Sequence, residues 1–274
     1  MDNEMTEETT TTAEMAPEKG ATIIQNQIQD AQSSIAVYEL PCGYLDEEGT
    51  LHTEVVVREI TGFEEDMLAN PKIRPAKKIN ELVCRCVERI GTVTDRGKVA
   101  GITKALTVGD RLFLIFGIRR VTIGDKYQFE SKCPHCNHVG DQAIDLSELE
   151  IKKMESPYKR IYDVTLPSGA TARFKPMTGV EEEKLERVNK KKTDTLSLSL
   201  LMRLELLNDE PPSLPKVKAL GMRDRIFLRD EFQRVEGGLD TEIEFTCDNC
   251  FEEYKQDLDV GQASFFFPSA TRKS

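Results

Sequence analysis

The chain has 274 residues, 39% of them hydrophobic and 31% charged, with a formal net charge of −11 at pH 7. That length allows one large or two small units with a real core, and the acidity argues against a phosphate-binding surface, whose affinity rests on basic residues that release counterions. No apolar run approaches a membrane span and the first residues lack the basic and apolar regions of a signal peptide, so the seven cysteines are expected in a reducing cytoplasm as thiols rather than disulfides.

Residues 1–34 are rich in Thr, Glu, Gln and Ala, with hardly any large apolar side chain. That composition predicts a disordered acidic tail with weak helical character from Ala21 to Ser33. A first unit is expected over residues 35–154. It opens with strands over Ile35–Leu40 and Thr53–Ile60, separated by the turn-prone Pro41-Cys42-Gly43 and Asp46 to Gly49, with His52 in the loop. Thr61-Gly62-Phe63-Glu64 fits a capping box for a short helix to Ala69, which Asn70-Pro71 ends. Ile79, Leu82, Val83, Cys86, Val87 and Ile90 recur at helical spacing and predict one helix from Pro75 to Ile90. Cys84 and Cys86 within it read as small buried hydrophobes. A further helix from Thr107 carries Leu112, Phe113, Ile115, Phe116 and Ile118 before Arg119-Arg120 and Gly124. Alternation over Tyr127–Ser131 then predicts a strand into Cys133-Pro134-His135-Cys136, with a return strand over Ala143–Leu146.

A second unit is expected over residues 155–262. Strands over Asp163–Leu166 and Thr171–Lys175 flank Pro167-Ser168-Gly169, Thr178 to Glu181 caps a helix to about Asn189, and Leu196–Leu207 is strongly apolar and helical. Asp209 to Pro212 reads as a loop and Met222–Val235 as the last helix. A strand from Glu242 to Phe245 leads into Cys247-Asp248-Asn249-Cys250, with a return strand over Asp257–Val260. Lys190-Lys191-Lys192 reads as a solvated helix end that offsets the macrodipole. Residues 263–274 form a C-terminal tail, whose Phe265-Phe266-Phe267-Pro268 either docks on the core or is offered to a partner.

The two units repeat each other. At an offset of 114, Leu106, Asp110, Arg111, Phe113, Leu114, Arg120, Val121, Gly124, Glu130, Cys133 and Cys136 all recur, 11 identities in the 31 positions from Leu106 to Cys136, where unrelated segments would share about two. Thr61-Gly62 and Glu64-Glu65 recur as Thr178-Gly179 and Glu181-Glu182, and Leu40-Pro41-x-Gly43 as Leu166-Pro167-x-Gly169. The fold expected is α+β: two internally duplicated units, each a β-hairpin, three helices and a zinc-knuckle hairpin, joined by a shared zinc ribbon.

The two CxxC pairs supply four thiolates, Cys133, Cys136, Cys247 and Cys250, the number a closed tetrahedral Zn2+ site requires. Each unit holds one pair, so the structural metal is expected to join the halves across a pseudo-twofold axis. A redox role would need CxxC at a helix N-terminus, and catalytic zinc would need an open coordination position. Either His135 or His138 is able to stand in for a cysteine, but with four cysteines present both are expected beside the site or exposed. The chain holds no GxGxxG after a strand, no GxxxxGKS/T, no GxSxG and no HExxH, and the paired carboxylates Glu64-Glu65 and Glu181-Glu182 sit in first helical turns, where negative charge is stabilising. No enzymatic activity is expected.

Taken together, Thr61-Gly62-Phe63-Glu64-Glu65, Asp110-Arg111-Leu112-Phe113-Leu114, Ile118-Arg119, Gly124 with Tyr127, and Cys133-Pro134-His135-Cys136 resemble the baseplate hub proteins of T-even-like contractile-tail bacteriophages. The resemblance runs from Ile35 to Leu149 and is weaker in the second unit, where Cys247-Asp248-Asn249-Cys250 lacks the proline and Gln233 replaces the first arginine. It implies a non-enzymatic hub or hub-assembly role through contacts with other phage baseplate or tail proteins, in the virion tail or in the host cytoplasm during assembly. No nucleic acid, membrane or small-molecule substrate is expected as a partner. A transient tail-assembly chaperone absent from the virion and a nucleic-acid-binding zinc ribbon are the alternatives.

Overall fold

A computed structural model describes residues 35–152, 154, 159–188, 193–260 and 263–267. The expected N-terminal tail over 1–34, the lysine run 190–192 and the C-terminal tail from 268 onward lie outside the described residues.

The first half begins with a hairpin of β1 (Ile35–Leu45) and β2 (Leu51–Arg58), followed by α1 (Gly62–Ala69) and α2 (Pro75–Cys86). β3 (Val87–Ile90) continues α2 without a loop, and α3 (Arg96–Ala105) and α4 (Val108–Ile123) precede a second hairpin of β4 (Lys126–Lys132) and β5 (Val139–Asp145). A short β6 (Ile151–Lys152) leads to the second half, which opens with β7 (Tyr162–Thr165) and β8 (Thr171–Phe174). Then come α5 (Gly179–Val188), α6 (Thr195–Arg203), β9 (Leu204–Leu207), α7 (Leu214–Ala219) and α8 (Met222–Val235). β10 (Gly238–Leu239) pairs with β6, β11 (Glu242–Thr246) pairs with β12 (Glu253–Asp257), and α9 (Ala263–Phe266) ends the described chain. The architecture is mixed α and β, with small antiparallel sheets.

Several expectations are corrected. Four helices, not three, separate the opening hairpin from the cysteine hairpin in each half. The expected helices over Pro75–Ile90 and Leu196–Leu207 each break into a helix and a strand, so both opening hairpins become three-stranded sheets, β1-β2-β3 and β7-β8-β9. His52 lies in β2 rather than a loop, bonded to Asp46 Oδ2 at 2.9 Å. The second return strand is Glu253–Asp257, four residues earlier than expected.

The helix-to-strand junctions have a common physical cause. Val87 and Ile90 are three residues apart and both buried, which plain strand alternation forbids. A β-bulge resolves this: Val57 pairs with Val87 and Val56 with Arg89, which leaves Glu88 extra and turns Ile90 inward. The same bulge recurs where Phe174 pairs with Leu204 and Arg173 with Leu206, so that Leu204 and Leu207 are both buried.

The expected capping box forms at Thr61, and the expected cap forms at Thr178, whose hydroxyl accepts the Val180 amide at 3.3 Å. Glu64 Oε2 accepts the Thr61 amide at 3.1 Å and its hydroxyl at 2.8 Å, and Glu181 Oε2 accepts the Thr178 amide at 3.3 Å and its hydroxyl.

Two large apolar clusters make the core. The first gathers side chains from Leu40 to Leu146 together with Leu258, Phe265 and Phe266; the second runs from Leu166 to Val235. α4 runs through the first cluster, and every residue from Phe113 to Arg119 is buried. The Arg119 guanidinium takes no carboxylate there. It donates to the carbonyls of Phe265 at 3.0 Å, Lys126 at 2.8 Å and Gly124, and lies over the rings of Tyr127 and Phe265. Phe265 packs edge-on against Phe116 and Tyr127. Of the two readings open for the phenylalanine run, Phe265 and Phe266 thus dock on the protein's own core. Among the described residues no helix is long and apolar enough to cross a membrane.

Candidate metal centre

The two cysteine hairpins are built alike. In each, a strand ends at the first cysteine, whose carbonyl accepts the amide four residues on: Asn137 N donates to Cys133 O at 3.0 Å and Phe251 N to Cys247 O at 2.9 Å. The first cysteine's amide returns to the carbonyl five residues on, Cys133 to His138 at 2.9 Å and Cys247 to Glu252 at 3.0 Å. This fold-back forces the residue after the second cysteine into the left-handed region, Asn137 at φ 61° and Phe251 at φ 60°. Asparagine tolerates that conformation, whereas phenylalanine does so at a cost of about 1–2 kcal/mol. Phe251 is also 77% exposed.

A small apolar cluster holds the hairpins face to face. Phe129 of β4 meets Phe245 of β11 edge-on at 5.8 Å, and the Ser131 hydroxyl bonds the Tyr254 hydroxyl at 2.7 Å and donates to Gln256 Oε1 at 2.5 Å. These contacts close around Cys133 and Cys247, which are buried, while Cys136 and Cys250 lie half-buried at the rim.

The four Sγ atoms all lie within 4.8 Å of one another. Cys133 faces Cys250 and Cys136 faces Cys247, both at 3.7 Å. A tetrahedron of thiolates around zinc has edges of about 3.8 Å, from a Zn–S bond of about 2.3 Å, and a disulfide is bonded at about 2.05 Å. The spacing therefore fits a shared cation and not a covalent bridge. Among the described residues these four form the group able to hold a metal; His135 and His138 are both exposed and outside it.

The electrostatics point the same way. The Asn249 side-chain amide, donating to Cys136 Sγ at 3.5 Å, and the His138 backbone amide draw that thiol down to about 6. Cys250 moves the other way, to about 12: the Glu252 amide opposes the rise, but desolvation and the three neighbouring sulfurs outweigh it. One thiolate is easily formed and a further one is resisted, which is the state a divalent cation reverses by charge. Cys42 and Cys86, by contrast, are buried among other groups, and desolvation pushes both up to about 12. Cys84 is half-buried, its Sγ 3.0 Å from Thr103 Oγ1.

Sequence reasoning selected all four cysteines but missed Asn249, whose amide crosses from one hairpin to the other, and the Ser131–Tyr254–Gln256 link. Spacing within the CxxC motif picks out the four thiols that come together; it carries no trace of which side chain reaches over from the opposite hairpin.

Residues 49–163 match the family model of the T4 bacteriophage base plate protein. No curated protein and no solved structure matches the chain. The matched segment runs from just before β2 to the start of β7 and includes Cys133 and Cys136, with Cys247 and Cys250 outside it. The first half of this chain, from its second strand through its cysteine hairpin, is similar to the T4 bacteriophage base plate protein family.

Proposed function

We propose that the chain is a non-enzymatic structural component of a contractile-tail phage baseplate hub, acting through contacts with other tail proteins. The observation that carries this reading is the similarity of residues 49–163 to the base plate family. The reading includes two copies of one unit, over residues 35–154 and 155–262, joined by structural Zn2+ on Cys133, Cys136, Cys247 and Cys250.

Matched details support the two-copy part. They are the paired bulges in β3 and β9, the helix caps at Thr61 and Thr178, and the alike fold-backs at Cys133 and Cys247. Soft thiolate donors in a tetrahedral arrangement suit zinc. When bound, the metal supplies a cross-link and no reactive position, since four thiolates fill its coordination sphere. The chain's own residues do the rest: Phe129, Phe245 and Tyr254 exclude water around the sulfurs, and Asn249 holds Cys136 toward the opposite hairpin.

The test is quantitative mass spectrometry of purified phage particles against infected-cell lysate, with metal analysis of the isolated protein. Peptides of this chain in the particle, and one zinc per chain lost on Cys136→Ser, are the expected results. Abundance in lysate with absence from particles would replace this reading with that of a transient assembly factor.

A further inference from the structure

Two of the contacts between the halves differ in symmetry. At the cysteines the contact is reciprocal, the first cysteine of each hairpin facing the second of the other, Cys133 with Cys250 and Cys247 with Cys136. Between the helices it runs one way. The N-terminus of α5 is seated on a face made by α2, α3 and α4. Gly179, its first residue, lies so close that an added Cβ would meet the Arg111 guanidinium at 2.5 Å and Asn80 Oδ1 at 2.6 Å. Glu182 pairs with Arg111, Asn80 Nδ2 donates to Glu183 at 3.0 Å, and Val108 N donates to Met177 O at 2.9 Å. Arg111 and Asn80 are buried as a result.

Both sides of that contact recur elsewhere in the chain, with no such partner among the described residues. The seated helix α5 has its counterpart in α1, by Thr178-Gly179-x-Glu181-Glu182 against Thr61-Gly62-x-Glu64-Glu65. The receiving face has its counterpart in α6, α7 and α8, with Arg225 at the place of Arg111, Ser197 of Asn80, and Leu196, Met222 and Ile226 of Ile79, Val108 and Leu112. There Arg225 ties the three helices together, donating to Val217 O at 2.8 Å and Ser197 Oγ at 3.1 Å. Leu196 is 67% exposed, Met222 66% and Ile226 47%. On α1, Phe63 is 81% exposed, and Gly62 and Glu65 are exposed too.

Gly62 supplies the sharper clue. Its φ is not in the left-handed region and nothing lies within 4 Å of where its Cβ would be, so no contact among the described residues requires glycine at this helix start, where glycine weakens a helix relative to alanine. At the matching position, Gly179 is glycine because Arg111 and Asn80 leave no room. A face resembling theirs, carried by another molecule, supplies the same reason for Gly62.

We infer that the occupant is a second copy of this chain: α1 of one molecule seats on the α6–α8 face of the next, with Glu65 on Arg225 and Gly62 against the Arg225 and Ser197 side chains. The internal α5 contact is its template and opposite charge its register. Because donor and acceptor are different surfaces, the contact is heterologous: in a pair one molecule keeps its α6–α8 face free and the other its α1, so further copies can add. The inference rests on the two-copy reading above.

The test is sedimentation velocity of the full-length, zinc-loaded chain from about 1 to about 100 μM, a span covering micromolar affinities, with zinc content and thermal melting measured on the same samples. The wild-type chain is expected to grow beyond a monomer with concentration. Gly62→Leu is expected to melt no lower than wild type, having open space around it, yet to weaken association at least about tenfold. Arg225→Glu and Glu65→Arg are each expected to stay monomeric alone and to associate when mixed, since the mixture contains the original pair and its swap. A wild-type chain that stays monomeric throughout with its zinc in place overturns the inference and leaves the proposed function standing; so does association that Gly62→Leu and Arg225→Glu leave unchanged. Absence of zinc counts against the proposed metal centre instead.

Discussion

Asp110 and Asp224 each hold the Leu-Pro-x-Gly segment of their own half of the chain. Asp110, three residues into the first turn of α4, accepts the Cys42 amide at 2.8 Å on one oxygen and the Gly43 amide at 3.1 Å on the other; Asp224, in the first turn of α8, accepts the Ser168 amide at 3.0 Å. In the first half the segment lies at the irregularity within β1, in the second it is the turn between β7 and β8, and each hangs on an aspartate about 60 residues further on.

Asp110→Asn keeps one acceptor and turns an NH2 group toward the second amide. It is expected to cost about 1–3 kcal/mol, the penalty of an unmet buried donor, measured by urea unfolding at pH 5. Asp224→Asn, with one amide at stake, is expected to cost less. Equal losses would refute the two-oxygen argument.

Two buried carboxyls give the pH profile opposite slopes. Burial raises Glu64, but the Arg58 guanidinium and the Thr61 hydroxyl and amide outweigh it and bring the carboxyl down to about 2. A depressed carboxyl stabilises the fold above its ordinary value of 4.5 and loses that contribution as pH falls through about 2; the shift corresponds to roughly 3 kcal/mol. Asp110 is pushed up to about 7 by burial, against its two amides and Thr107. Its contribution is complete below 3.8 and is lost as pH rises through about 7. The gap between wild type and Glu64→Gln is therefore expected to close toward pH 2, and the gap to Asp110→Asn to shrink between about pH 4 and about pH 7 and level off above it, both read from melting series.

Metal removal is expected to act locally. The cysteine cluster is small and joins the first large core through Phe129, Ile144 and Ile243, so a chelator should lower the melting temperature while leaving far-UV dichroism nearly unchanged below it. With free zinc about 100-fold above Kd, linkage gives about 2.7 kcal/mol of stabilisation. Loss of most secondary structure on chelation would contradict this picture.

Phe251 carries a left-handed backbone with most of its ring in solvent. Phe251→Gly is expected to raise stability by about 1 kcal/mol with zinc retained. A destabilised variant would mean that the ring makes a contact worth more than the strain.

Truncating Phe265, wholly buried between Phe116 and Tyr127, to alanine is expected to cost about 3–5 kcal/mol. Arg119→Met leaves the buried Phe265 carbonyl without its donor, at about 1–3 kcal/mol, and frees those of Gly124 and Lys126, which lie nearer the surface where water can replace the guanidinium. Denaturant midpoints should fall in both with the slope unchanged.

What the sequence made legible was local or repeated. The helix caps, the helix over Met222–Val235, which α9 follows, and the four cysteines come from short-range chemistry and from a pattern present twice. The junctions at Val87 and Leu204 stayed hidden because residues three apart satisfy a helix face as well as a bulged strand, and the choice is made by β2 and β8, which lie distant in sequence. α3, with Gly97 and Gly101, and α7, only six residues long, carry too weak a pattern to stand out. Nothing in the local pattern marks Arg111 and Arg119 for burial; what accompanies it is a glutamate on another helix and a set of carbonyls, neither encoded nearby.

The last described residues return to the beginning. Leu258, Phe265 and Phe266 complete the cluster built by residues 40–146, while the second cluster, from Leu166 to Val235, lies between those two visits. In chain order the second half is thus an insertion, entered and left from the same core. Shortening the chain from its C-terminus strips the N-terminal core first, and a clean cut after residue 154 yields a fragment without its floor of aromatic rings and with two thiols instead of four.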